Sequence, residues 1–449
     1  MRWKTTTVLL LVTVGLGAFI SLYEIKQPGT EERKRKSIRV LDLPQETITA
    51  LEIDVPNAAL SLRNQDGVWR LEPDGARADA AMVRQILSYS SGYTAERALE
   101  PEDLGAYGLE PPLGTIVFTA ADGLTTTLRI GEPTPVGGNR YAMVEGRPDV
   151  YIVTAGLFDL ANQDEELYAD AFFFRPQRWE VAELRISTPE HEGVLTQEDG
   201  RWTLREPVAD RADQGALSSL FNALAQTAIQ RRVGPKPDEA ALAEYGLAPP
   251  EAALTARLTD GREVTVSFGR RLQTLPQFRY AMRSDEPLLY AVRPEDVEKL
   301  LPDPGALRAK APVEFFMADV RRVSVTGPEG AWTMSREEGA GWSSESEDLV
   351  LDGLKVSKFL GTLADLRAEG FAEDAVDSAV YGLDEPAGRI EIWTFEEVPQ
   401  QVIVGAPVRE GPSRYARLEP RGVTAILPQQ LEGLLYTRLS DFTSSQPSE

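Results

Sequence analysis

Apolar and polar residues alternate from Ile48 to Val55 and again from Ala59 to Arg63, the period-two mark of strands with one buried face. Asn64-Gln65-Asp66-Gly67 between them and Val68-Trp69-Arg70-Leu71 predicts a turn and a returning strand. The period then changes. Met82, Val83, Ile86 and Leu87 form a stripe at helical spacing. Asp79 stands in front of them, where a carboxylate accepts the free N–H groups of a first turn. A second helical stretch stops at Tyr107-Gly108-Leu109-Glu110-Pro111-Pro112, because Gly accepts the left-handed C′ conformation and proline cannot continue a helix. Strand-like segments follow at Thr115–Ala120, Thr126–Ile130, Arg140–Val144 and Val150–Val153, and a short helix over 157–162 closes the series. The prediction is an α+β unit of mainly antiparallel sheet.

The whole series recurs. The phrase returns as Tyr245-Gly246-Leu247-Ala248-Pro249-Pro250 and Tyr381-Gly382-Leu383-Asp384-Glu385-Pro386, at spacings of 138 and 136 residues. A Gly lies 24 residues after each Tyr (Gly131, Gly269 and Gly405), and an Arg-Tyr-Ala follows it, at Arg140-Tyr141-Ala142, Arg279-Tyr280-Ala281 and Arg414-Tyr415-Ala416. Trp69, Trp202 and Trp342 precede the phrase in hairpin contexts, and Asp79, Asp213 and Asp352 precede the helical stripes. A period this long exceeds the ~20–50 residues of solenoid repeats, so each copy is expected to be a small domain. The expected layout is an anchor and charged linker over 1–40, repeats over 41–170, 171–312 and 313–440, and a tail over 441–449. Closing helices are expected to start at Pro294 and Pro428 in the later copies. Ser343–Asp348 is expected to be a loop, and Ser440–Glu449 a frayed end.

Ahead of the repeats, Thr5–Tyr23 is uncharged and mostly apolar over 19 residues, close to the ~20 that cross a bilayer. One N-terminal transmembrane helix is therefore expected in front of the three repeats; a cleaved signal peptide is the alternative. Arg2 and Lys4 favour a cytoplasmic N-terminus, while six basic residues between Lys26 and Arg39 pull the other way. The short N-terminal tail fits a signal anchor with the body exported. The expected location is the bacterial inner membrane, single pass, with a periplasmic body.

Charge and composition narrow the chemistry. Residues 1–39 hold eight Lys or Arg against three Glu, and the remaining 410 hold 39 basic against 67 acidic residues. So acidic a body repels phosphate backbones, which argues against nucleic acid as a partner. Cysteine is absent and His191 is the one histidine, expected in an exposed turn. A His-based triad, a multi-His metal site and any thiolate site therefore cannot be assembled. No phosphate loop, dinucleotide fingerprint or Gly-x-Ser-x-Gly appears in the repeats. No cofactor and no catalytic residue are expected, although 70 Asp and Glu leave an acid-pair hydrolase open.

The best candidates for ligand contact are Arg140, Tyr141, Arg279, Tyr280, Arg414 and Tyr415, because a guanidinium beside an aromatic ring suits carboxylates, phosphates or sugars. Their recurrence inside a strand equally fits a packing role, with Tyr turned inward and Arg turned out or paired with an acid.

An apolar N-terminal run, a charged linker and tandem units with Tyr-Gly-Leu-x-x-Pro, a later Gly and Arg-Tyr-Ala resemble the bacterial domain-of-unknown-function 4340 (DUF4340) family, over residues 40–440. The resemblance implies a membrane-linked envelope role near export-type ABC transporters and transfers no catalytic residue. The expectation is a non-catalytic accessory or scaffold protein. The alternative is a module for a periplasmic or cell-wall ligand, held in the grooves between repeats.

Overall fold

A computed structural model describes residues 38–101, 103–337, 340–344, 349, 351–372, 378–395, 398–409 and 411–443. Among these residues every named strand pairing is antiparallel, and the strands form three sheets.

The first repeat opens with β1 (Ile48–Val55), β2 (Ala58–Gln65) and β3 (Val68–Glu72), a meander. Asp66 and Gly67 turn its second hairpin at φ 53° and 83°. Helix α1 (Ala80–Ser90) buries Val83, Ile86 and Leu87, as its stripe requires. Then come β4 (Ala95–Leu99), β5 (Gly114–Ala120), β6 (Thr125–Pro133), β7 (Asn139–Val144), β8 (Val150–Thr154) and α2 (Gly156–Ala161). The sheet order is β3-β2-β1-β5-β6-β7-β8-β4, so the stretch after α1 supplies the far edge before the chain returns to the centre.

The second repeat has β9 (Val181–Ser187), β10 (Glu192–Glu198), β11 (Arg201–Glu206), β12 (Asp210–Arg211), α3 (Gln214–Gln226), β13 (Arg231–Pro235), α4 (Glu239–Glu244), β14 (Ala252–Leu258), β15 (Glu263–Arg271), β16 (Arg279–Arg283), β17 (Leu288–Val292) and α5 (Pro294–Leu300). The third has β18 (Arg322–Gly327), β19 (Gly330–Ser335), β20 (Ser343–Ser344), α6 (Gly353–Asp365), β21 (Gly370–Phe371), β22 (Gly388–Trp393), β23 (Gln400–Pro407), β24 (Arg414–Glu419), β25 (Val423–Leu427) and α7 (Gln430–Leu435). Both repeat the first order, as β12-β11-β10-β9-β14-β15-β16-β17-β13 and β20-β19-β18-β22-β23-β24-β25-β21.

All three predicted caps form. Asp79 accepts from the N–H groups of Ala81 and Met82 at 2.9 and 2.8 Å, Asp213 from Ala216 at 2.8 Å and Asp352 from Leu354 at 2.8 Å. The backbone N–H of each same aspartate donates to the end of its repeat: to Tyr168, Leu307 and Phe442 carbonyls at 2.8, 2.7 and 2.7 Å. One residue thus starts the main helix and closes the unit.

Several expectations are corrected. The described residues form three sheet repeats and do not support the expected transmembrane helix: among them no helix is long and apolar enough to cross a membrane. Thr5–Tyr23, on which that helix was placed, lies outside the described residues. Ser343–Ser344 is strand β20, pairing with Met334 and Ser335 of β19, and not loop. The third repeat continues through a 3-10 turn at Leu439–Phe442 with Phe442 buried, so the end is packed beyond Ser440. Helix α5 begins at Pro294 as expected, whereas α7 begins at Gln430, two residues after Pro428.

By compactness the chain falls into two units, 1–174 with 227–250 and 266–294, and 175–226 with 251–265 and 295–449. The first unit holds the first sheet, α4, β13, β16 and β17. The second holds β9–β12, α3, β14 and the whole third repeat, whose core joins Val323, Val325, Met334, Phe359, Ile390, Ile392 and Leu431.

Candidate functional site

The repeated phrase, the later Gly and the Arg-Tyr-Ala prove to be three parts of one packing device. Gly108, Gly246 and Gly382 take φ of 64°, 71° and 67°, the left-handed values predicted for a C′ glycine. Leu109 and Leu247 are buried and Leu383 is half-buried. The phrase lies directly on the sheet at the later Gly. A Cβ on Gly131, Gly269 or Gly405 would stand 2.2, 2.2 or 2.1 Å from the carbonyl oxygen of Tyr107, Tyr245 or Tyr381. Only Gly permits that approach.

The Tyr of each Arg-Tyr-Ala then meets the Tyr of the phrase. Ring centroids are 4.8 Å apart for Tyr107 and Tyr141, 4.4 Å for Tyr245 and Tyr280, and 4.7 Å for Tyr381 and Tyr415, within the range of favourable aromatic pairs. In the second repeat this contact belongs to a small second core of Leu242, Leu247 and Leu289, with Tyr245, Tyr280 and Met282 packed against it.

The Arg goes the other way. In each strand the fully buried Ala142, Ala281 or Ala416 takes the core position, and strand alternation places Arg on the Ala side and Tyr opposite. Of the expectation of an inward Tyr and an Arg turned out or paired with an acid, the acid pairing holds at Arg414, while each Arg shares the face of the buried Ala and each Tyr the face of the phrase. Arg140 lies 3.7 Å over the Phe158 ring of α2, and Arg414 pairs with Glu432 of α7 at 2.6 Å. Each Arg also donates to the carbonyl of the later Gly, from Arg140 to Gly131 at 3.2 Å, Arg279 to Gly269 at 2.8 Å and Arg414 to Gly405 at 2.8 Å. The six residues named as ligand candidates thus pack inside their own repeats, the tyrosines against the phrase, each arginine on the carbonyl of the later Gly, and Arg140 and Arg414 also against the closing helices.

Sequence reasoning missed two buried ionic clusters. In the first unit Glu286, almost fully buried, accepts from Arg77 at 3.0 Å and from the Tyr290 hydroxyl. Beside it Asp285 accepts twice from buried Arg283, at 2.9 and 2.8 Å, and lies 3.4 Å from Arg77. Burial pushes the Asp285 carboxyl upward, but the Arg283 hydrogen bonds and the Arg283 and Arg77 charges outweigh it and hold the group below its ordinary range. Burial, reinforced by the Glu286 charge, raises Tyr290 far above the usual phenol value.

In the second unit Asp210, its side chain fully enclosed, accepts from Arg308 at 3.0 Å and from both Nε and Nη2 of Arg421 at 3.0 Å. Arg421 also donates to the Ala309 and Ala311 carbonyls, and burial lowers its pKa against the pull of Asp210. Arg308 stacks 3.7 Å over Phe371, with Nη2 buried and unpartnered.

His191 is half-buried rather than exposed. Its N–H donates to Thr188 Oγ1 at 3.0 Å, and its Nε2 is buried with no hydrogen-bond partner. Among the described residues no group of three or more His, Asp or Glu is arranged to hold a metal ion.

These features define a tandem array of α+β sheet units, each stapled by the same Tyr-Gly-Leu device. The model of a family described as a domain of unknown function (DUF4340) matches residues 69–207 and 202–386, more than half of the chain, and the chain belongs to that family. Both matches begin at a repeat tryptophan, Trp69 and Trp202, and the second ends at Pro386 of the third phrase. No curated protein matches the chain.

Proposed function

We propose that the protein acts without catalysis, as an accessory or scaffold component of a bacterial envelope complex. An ABC-type transporter is the class of partner that the family resemblance brings forward, and the body works outside the cytoplasm. One observation carries the reading. The repeated polar residues are taken up inside their own repeats, whereas large apolar side chains stand exposed in every repeat: Leu124 and Val136 in the first, Trp179 in the second, and Phe316, Phe395 and Val398 in the third at 80, 68 and 60 % exposure. Apolar side chains that gather into one exposed patch mark surfaces that meet another protein, and the reading takes these residues to contribute to such a surface.

Affinity purification of the full-length protein from native membranes in mild detergent tests this. Transporter or other envelope subunits are expected to co-purify, and to be lost with a Phe316→Glu, Phe395→Glu double variant. Recovery of the intact protein alone, before and after cross-linking, overturns the scaffold reading.

A further inference from the structure

The second unit contains a cleft of about 410 Å³ between the start of β11, the approach to α3, and Glu314 and Gln400 of the third repeat. Its walls are polar and mostly fixed. Gln400, itself buried, accepts from the Glu314 N–H at 2.8 Å and donates to the Glu314 carbonyl at 2.6 Å. Gln214 is held by Arg178 and by the Ala212 carbonyl. Trp202 lines the cleft with 2 % exposure and packs on Phe221, and its Nε1 donor has no partner.

The cleft is also cationic within a chain of net charge −23. Arg201 lines it, exposed, and its guanidinium makes no hydrogen bond or ion pair among the described residues. Arg211 lines it too, bound only by a 3.5 Å ion pair to half-exposed Glu314. Next to Arg211 stands the Asp210 cluster with Arg308 and Arg421. Two guanidiniums thus line the cleft against the one carboxylate of Glu314, and the excess positive charge sits where solvent reaches it.

We propose that this cleft binds a small saccharide carrying a carboxylate, of one or two rings. The carboxylate lies between Arg201 and Arg211, where charge-assisted hydrogen bonds are strong and directional. Ring hydroxyls face the amides of Gln214 and Gln400. The volume falls in the range of about 300–1,000 Å³ usual for small-molecule sites. This site is independent of the exposed apolar residues of the third repeat, so its failure leaves the scaffold reading standing.

Calorimetric titration of the full-length protein with glucuronate and N-acetylmuramate, against neutral glucose and N-acetylglucosamine, tests the inference. The acids are expected to bind roughly tenfold or more tightly than their neutral counterparts. Arg201→Ala, at an exposed position that leaves folding intact, and Arg211→Ala are each expected to weaken the acids by a similar factor. The proposal fails if neither acid binds at millimolar concentration, if acid and neutral sugars bind equally, or if Arg201→Ala leaves acid binding unchanged.

Discussion

Replacing Gly405 with Ala adds one methyl group at the point where the third phrase touches the sheet. That methyl carbon would stand 2.1 Å from the Tyr381 carbonyl oxygen, 3.2 Å from its carbonyl carbon and 3.1 Å from Leu383 Cδ2. The nearest atoms are backbone, so the strand or the phrase must move as a body. Overpacking of this kind costs about 1–3 kcal/mol. Lifting the phrase also loosens the Tyr381–Tyr415 pair, worth about 0.5–1.5 kcal/mol. The expected loss is about 2–4 kcal/mol. Gly353, first residue of α6, has nothing within 4 Å of its Cβ position. The same substitution there is expected to stabilise by about 0.4–1 kcal/mol through the unfolded chain. Urea unfolding of the full chain, followed by circular dichroism and by the fluorescence of Trp332, Trp342 and Trp393, reads both changes. A Gly405→Ala variant within about 0.5 kcal/mol of the parent, the range of indifferent surface changes, would falsify the account of the phrase.

Asp352→Ala removes the cap of α6 and is expected to cost about 0.5–2 kcal/mol in the same urea assay; no measurable change would mean that the aspartate acts only through its backbone N–H. Asp210→Ala leaves Arg308 and Arg421 buried without their carboxylate and is expected to cost about 3–5 kcal/mol; a neutral outcome would show that water reaches the cluster. Asp285 has a folded pKa below its unfolded value, so its contribution is fully present above about pH 4 and is lost as pH falls further through the folded value. Urea midpoints measured against pH are expected to show this acid-side loss, and Asp285→Asn to shrink it; an unchanged slope in the variant rules Asp285 out as its source. A reporter active only after export, fused behind Glu449, is expected to be active, and activity of a cytoplasm-only reporter instead would reverse the proposed location.

Much of the architecture was legible because the same local chemistry recurs. A capping aspartate, a left-handed glycine and a glycine of close approach each act over a few residues, and a period near 137 residues repeats them three times. The faces of the Arg-Tyr-Ala strands were not legible. Alternation fixes that Arg and Tyr oppose each other, but only the packed structure shows that the small Ala occupies the core position and carries Arg with it. Edge strands also escaped notice. Ala95–Leu99 carries two charges in five residues and Gly370–Phe371 is only two residues long, too short a run for periodicity. The ionic clusters join residues more than 200 positions apart, such as Arg77 with Glu286 and Asp210 with Arg421. One signal for them was present. Seven residues after the Arg of each Arg-Tyr-Ala stand Arg147, Glu286 and Arg421, a repeat position whose charge changes sign.

That change of sign has a physical consequence for repeats of one shape. Arg147 and Arg421 each donate to backbone carbonyls just ahead of their own repeat, to Val40 at 2.9 Å and to Ala311 at 2.8 Å. In the second repeat Arg283 performs this task instead, donating to Phe173 at 2.7 Å, and Glu286 is free to take an arginine. The first repeat accordingly supplies Arg77 to the second, whereas the second supplies Asp210 to the third. A pairing of the first repeat with the third would bring Ala76, at the position of Asp210, to Arg421 and leave that buried guanidinium without its carboxylate. A buried charge without its partner carries a large penalty, since it has lost its hydration and gained nothing in return. Three nearly equivalent sheets could otherwise pair in either order during folding, so the alternation of charge opposes the wrong neighbour where the apolar cores cannot distinguish it.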